Sequence, residues 1–203
     1  MTLEKLSFLD LMKEVDEELS DDPQKDPQNA FLMDLPIADA LDNEILMHRD
    51  SHFGGKFSIM LEYYENEGRG VDPEFTMDRI RDLMKIEENL GKNLASTLLT
   101  GADAEAVGRA KKVYKSLRSI YEIDNAQNHL PRLLADLILT EEEEAEEEIK
   151  NIVEEGSAIV PLLIDLLRKD EFLNPLSPGY GFAPSFAAEC LGKIGDEKAI
   201  RPL

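Results

Sequence analysis

Along almost the whole chain apolar residues recur three or four apart, and nowhere do they alternate with polar ones over the length of a strand. That spacing puts one apolar stripe on each of a series of α-helices and offers no pattern for a sheet. Leu3, Leu6, Leu9, Met12, Val15 and Leu19 make the first stripe, which stops near Asp22-Pro23. The polar, proline-broken stretch SDDPQKDPQN (20–29) reads as a linker. A second helix opens close to Pro36, carries Ile37, Leu41 and Ile45 inward, and ends at Gly54-Gly55. Phe57, Met60, Leu61 and Tyr64 mark a third, closed by EGRG (67–70). Asp72 followed by Pro73 signals the start of a fourth, running to Leu98 with Gly91 as an interruption and Gly101 as a stop. Asp103 caps a fifth, and Leu130 to Ile138 form a sixth. Thr140 with Glu143 makes a capping box for a seventh, and Ile159 to Leu167 an eighth. The fold class is all-α. Apolar content of 42% is enough for a buried core in a chain of 203 residues.

One of these helical segments recurs. GSAIVPLLIDLL (156–167) and GDEKAIRPL (195–203) each run from glycine through a short polar step to Ala-Ile-x-Pro-Leu. Pro161 and Pro202 lie 41 residues apart, and a weaker copy, HLPRLLADLI (129–138), puts Pro131 thirty residues before Pro161. In each copy the proline falls early in its helix, where a missing N–H donor costs least.

FAAECLGKIGDEKAIRPL (186–203) resembles the short HEAT-like repeat of the family named after phycobiliprotein lyases. That repeat pairs a small-residue helix ending Leu-Gly-x-Ile-Gly with a second helix opening Asp-x-x-Ala-Ile-x-Pro-Leu. The likeness is specific over these 18 residues, looser over 157–168, suggestive over 104–155, and does not extend to 1–100. The resemblance implies an α-α superhelix, a right-handed stack of antiparallel helix pairs generally used as a surface for binding proteins. One pair cannot cover its own apolar face, so pairs stack and share a core. The expected organisation is a helical N-terminal region over 1–100 followed by a HEAT-like solenoid over 101–203. Leu203 falls at the opening of a repeat's second helix, so the repeats are expected to continue beyond it. HEAT-like repeats also carry deoxyhypusine hydroxylase, whose His-Glu iron motif would stand where this chain has Ser185-Phe186, so that activity does not carry over. Bilin lyase activity is not implied either, because the repeat alone is generic.

Charge narrows the partners. With 43 acidic against 22 basic residues, the net charge is −21. Such a surface repels nucleic acid and anionic membrane, and leaves a protein, one with a basic surface included, as the expected partner. The run EEEEAEEE (141–148) reads either as a solvated helix start or as a dock for a basic partner. The lone cysteine, Cys190, permits no internal disulfide and lies in a small-residue helix, where packing is the expected role. No stretch is long and apolar enough for export or for a bilayer span, so a cytoplasmic protein without membrane contact is expected.

Two places carry candidate chemistry. HRDSHFGG (48–55) holds two of the three histidines. On a wheel turning about 100° per residue from Ile37, His48 falls near 20° and His52 near 60°, amid Leu41 and Ile45, with Glu44 just beside them. Glu44, His48 and His52 form a ladder that could ligate a metal, with Glu62, Glu65 or His129 joining only if the fold brings them close. The other reading is a pair of hydrogen-bonded core histidines at a helix end. HRD also occurs in the kinase catalytic loop, but the downstream asparagine is missing, and no P-loop, nucleophile elbow or dinucleotide fingerprint is present. The second place is the loop LNPLSPGYGFAPSF (173–186), whose Tyr180, Phe182 and Phe186 either contact a partner or staple the stack. The function these residues support is a non-enzymatic helical-repeat scaffold or adaptor with no cofactor. The alternative is a metal-dependent enzyme built on Glu44, His48 and His52.

Overall fold

The structure, a computed structural model, describes residues 39–68, 70–122, 129–141 and 145–199. All of it is helix, turn and loop, with no strand among the described residues. The first predicted stripe, the linker, Pro36-Ile37, Glu143 and Pro202 lie outside these residues. None of the helices described is long and apolar enough to cross a membrane.

Among the described residues nine α-helices follow in order: α1 Ala40–His52, α2 Phe57–Glu65, α3 Met77–Leu90, α4 Leu94–Leu98, α5 Ala102–Glu122, α6 His129–Leu139, α7 Glu146–Glu154, α8 Val160–Leu167 and α9 Ala183–Ile194. They belong to two compact units that divide between Arg109 and Ala110, inside α5. The sequence reading puts the boundary at 100/101. The division falls later because α5 gives Val107 to one core and Val113, Leu117 and Ile120 to the other.

Several helix ends differ from those the sequence suggests. A capping box starts α1: the Asp39 carboxylate accepts from the Asp42 N–H at 2.9 Å, and Asp42 accepts from the Asp39 N–H at 3.2 Å. Asp72 does not cap α3. Its carboxylate instead turns the chain by accepting from the Glu74 N–H at 2.9 Å, and Thr76 caps the helix that begins at Met77. Gly91 does interrupt the fourth predicted helix, taking a left-handed conformation (φ 60°) that ends α3, and Asn93 caps the short α4. The capping box expected of Thr140 needs Glu143, outside the described residues. The Thr140 hydroxyl donates to the Asp136 carbonyl at the end of α6, and α7 begins behind Ala145 with no side-chain cap.

In the N-terminal unit, Ile45, Leu46, Met60, Ile80 and Leu94 have no more than 1% exposure and form the centre of the core. Two ion pairs clamp α1 to α3. Arg79 holds both oxygens of the buried Asp42. Two turns further along each helix, Arg49 donates to Glu87 Oε2 at 2.7 Å, so the two helices run in the same direction. Arg49 is wholly buried. Its remaining donors go to Asp50 Oδ1 at 2.9 and 2.6 Å and to Asn93 Oδ1 at 3.3 Å, and its guanidinium lies 4.4 Å from the centre of the Phe57 ring. Glu87 Oε2 also accepts from the Leu94 N–H at 2.6 Å, which fixes the start of α4. One charge cluster thus sets α1, α2, α3 and α4 relative to one another.

The C-terminal unit is built on Leu134, Leu137 and Ile138 of α6, Ile149 and Ile152 of α7, Leu163 and Leu166 of α8, and Ala187, Cys190 and Leu191 of α9. Two sequence-adjacent pairs pack together, α6 on α7 and α8 on α9, the latter most closely. Alternate helices also touch, α6 with α8 and α7 with α9, and α9 reaches α6. Pro161 and Pro184 stand in the first two positions of α8 and α9, and Pro131 is third in α6, where the missing donors leave no internal bond broken.

Removing the buried guanidinium while leaving its carboxylate partners tests the clamp. Arg49→Met is expected to lower the unfolding free energy by about 3–5 kcal/mol. Arg49→Lys recovers little of it, because an ammonium cannot reach Asp50, Glu87 and Asn93 at once. Urea unfolding followed by circular dichroism measures both, and a loss below about 1 kcal/mol for Arg49→Met would show that the cluster is not what orients these helices.

Candidate functional site

The helix end at HRDSHFGG is arranged around its arginine, not its histidines. The buried face of α1 is Asp42, Ile45, Leu46 and Arg49, continued by Phe53. It lies about a quarter-turn round the wheel from the stripe that Ile37, Leu41 and Ile45 suggest. His48 and His52 therefore sit at the edge of the buried face, both half-buried, and Glu44 is exposed. The two imidazoles face each other with centroids 5.4 Å apart, and His48 meets the edge of Phe75 at 5.1 Å. Beyond them Gly54 and Gly55 take left-handed backbone, and the Arg49 carbonyl accepts from the N–H groups of both Phe53 and Gly55.

The segment after α2 folds back over this edge. Tyr63 Oη accepts from the Gly70 N–H at 2.6 Å, and Tyr64 Oη from the Asp72 N–H at 3.2 Å. Phe75 stacks on Tyr64 with centroids 6.3 Å apart. Gly68 is required here, because a Cβ would lie 2.3 Å from the Tyr63 ring. Burial pushes the Tyr64 hydroxyl up to about 12, so it remains a neutral phenol. Burial lowers the pKa of His48, against the opposing pull of the Asp72 carboxylate. A neutral imidazole is a competent metal ligand, yet no three His, Cys, Asp or Glu side chains among the described residues converge to hold an ion. Glu62 is exposed, Glu65 pairs with Arg81 at 2.9 Å, and His129 belongs to the C-terminal unit, 2.7 Å from Glu155.

The aromatics of 173–186 turn inward. Tyr180 and Phe186 are buried, and Phe182 is half-buried with its ring 6.1 Å from that of Phe186. The loop is tied to itself by Ser177 Oγ, which donates to the Glu171 carbonyl at 2.5 Å, and by the Asn174 side chain, which accepts from the Leu176 N–H. It is tied to α6 by close backbone approach. Gly179 takes left-handed backbone (φ 72°), and a Cβ there would lie 2.0 Å from the Ile138 carbonyl oxygen. Tyr180 also has positive φ, at 54°, a conformation the packing around it must hold. Cys190 is buried in α9, and burial, aided by Glu189, raises its thiol to about 11. That thiol is a packing group, not a nucleophile.

Outside both predicted places, the C-terminal unit carries an open cleft of about 610 Å³ between α6 and α7. Leu133 and Leu139 line it with Asp136, Glu141, Glu147 and Glu148, and Thr140 and Asn151 complete it. Tyr121, 42% exposed on α5, donates its hydroxyl to Asp136 Oδ1 at 2.5 Å. Burial and that carboxylate together raise the pKa of the Tyr121 hydroxyl above the ordinary phenol range. The acidic run is the signal for this cleft in the sequence, but only the packing of α6 on α7 brings leucines and carboxylates to one cleft.

No protein-family model matches the chain, and neither a curated protein nor a solved structure is significantly similar to it.

Two outcomes follow from this geometry. Gly179→Ala is expected to cost at least about 2 kcal/mol, since both the positive φ and the Ile138 carbonyl oppose a Cβ. A thermal shift indistinguishable from wild type would show that the loop is not held on α6 in this way. The lowered pKa of His48 means that the folded chain binds fewer protons there than the unfolded chain. The stability attached to the neutral ring is therefore complete above pH 6.5 and lost as the pH falls below it. Between pH 7.5 and 5.5 the wild type should lose more thermal stability than His48→Gln, and parallel melting curves would refute the assignment.

Proposed function

We propose that the C-terminal unit is a short HEAT-like stack and that the chain is a non-enzymatic adaptor that binds another protein. The observation that supports this reading is the contact of alternate helices, α6 with α8 and α7 with α9, alongside the contacts between sequence neighbours. Stacked helix pairs make both kinds of contact, because each pair buries its apolar face on the pair before it and the pair after it. The early prolines of α6 and α8 and the left-handed Gly195 that ends α9 agree with the repeat pattern the sequence resembles. Such a stack leaves the outer grooves between helices open, and macromolecular partners are held on surfaces of that kind. The aromatics Tyr180 and Phe186 then act as the staple that seats the long loop, and Phe182 is the one of the three that retains surface for a partner.

Quantitative capture with the full chain as bait, followed by reconstitution from purified components, tests the reading. One captured protein should rebuild a 1:1 complex with a Kd on the order of micromolar or tighter. Failure of every captured protein to reconstitute would overturn it. So would stoichiometric metal in the purified chain that disappears in His48→Ala/His52→Ala, because that result belongs to the metal-dependent enzyme.

A further inference from the structure

The cleft between α6 and α7 has the build of a docking groove, and its chemistry selects the occupant. Leu133 and Leu139 give it apolar lining, and Asp136, Glu141, Glu147 and Glu148 give it acidic lining, with no lysine or arginine among the described residues that line it. At about 610 Å³ it has room for several side chains of an extended segment. Glu147 is exposed and Glu148 half-buried. Asp136 is held in place by the Tyr121 hydroxyl, and Tyr121 adds an exposed ring beside it. An anionic or neutral polar segment gains nothing here, since it would repel the carboxylates or leave the leucines wet. We infer that this groove binds an extended, lysine- or arginine-rich segment of a partner protein, with one apolar side chain on Leu133 and Leu139 and cations against Glu147, Glu148 and Asp136. The inference rests on the adaptor reading and specifies the surface that reading uses. The cations would contribute electrostatic steering and register, and the apolar anchor the desolvated contact that the carboxylates alone cannot supply.

Fluorescence anisotropy with a labelled Gly-Lys-Lys-Leu-Lys-Lys-Gly peptide and the full chain tests it. Glu147→Gln/Glu148→Gln should weaken binding roughly tenfold. Glu74→Gln/Glu88→Gln removes the same charge from exposed positions of the other unit and should change it by less than about twofold. Replacing the peptide's leucine by serine should also weaken binding, as contact with Leu133 and Leu139 requires. Equal losses in the two double variants would mean diffuse attraction to an acidic protein and would overturn the inference, as would no binding of the lysine peptide. A partner from the capture experiment that binds Glu147→Gln/Glu148→Gln undiminished would sink this groove while leaving the adaptor reading intact.

Discussion

A guanidinium withdrawn from water needs acceptors on more than one side, and Arg49 finds them on three separate segments. Asp50 comes from its own helix, Glu87 from α3, and Asn93 from the turn before α4, while Phe57 at the start of α2 covers one face of the charge. None of these groups is replaceable by a rearranged neighbour, because the desolvation cost of the charge is offset only when the acceptors are present together. The order of events in the N-terminal unit follows from this. Helices with apolar stripes would pack in several registers, and the register in which Arg49 reaches Glu87 while Arg79 reaches Asp42 is the one that leaves no buried charge unpaired. The histidines at the margin, and the segment hooked over them by Tyr63 and Tyr64, occupy the space this register leaves.

How far the sequence discloses this depends on the scale of the interaction. Helix existence is legible because a stripe at three- and four-residue spacing is a local property, and left-handed stops at Gly91 and Gly195 are legible because glycine alone takes that backbone without strain. Caps are less so. Asp72 and Thr76 are both suitable N-caps four residues apart, and the choice falls to Thr76 because Phe75 must first be delivered to Tyr64 and His48. Thr140 also closes α6, its hydroxyl donating to the Asp136 carbonyl, a bond that its spacing to Glu143 does not announce. The wheel of α1 fails for a related reason. Ranking faces by hydrophobicity alone excludes an arginine, so the stripe is drawn through Ile37, Leu41 and Ile45. Starting from Ile45, Leu46 and Phe53 instead puts Arg49 in the middle, next to an aspartate, which is the legible sign of a buried ion pair. The partner Glu87, 38 residues on, is not locally encoded.

The long loop before α9 shows the same division. Its proline, glycine and aromatic content marks it as ordered and special, but content does not say whether the rings face a partner or the core. Backbone proximity decides it. Gly179 brings the chain against the Ile138 carbonyl, closer than any residue with a Cβ could come, and the rings that follow are carried inward with it. A loop seated this way extends the core of the C-terminal unit beyond its helices, with Phe172, Leu176 and Tyr180 buried between α8 and α9 in sequence. Of its three aromatic rings only that of Phe182 keeps partial exposure.

The surface proposed for a partner is the α6–α7 groove, and its carboxylates differ from a solvated acidic face in being gathered with leucines. Carboxylates scattered over a solvated face repel one another weakly and are screened within roughly 10 Å by salt. Glu147, Glu148, Glu141 and Asp136 instead line one concavity together with Leu133 and Leu139. In the proposed complex a cation would meet these carboxylates directly. The leucines would make the contact selective, because a small inorganic cation answers the charge but leaves the leucines in water, whereas a basic segment with an apolar side chain satisfies both.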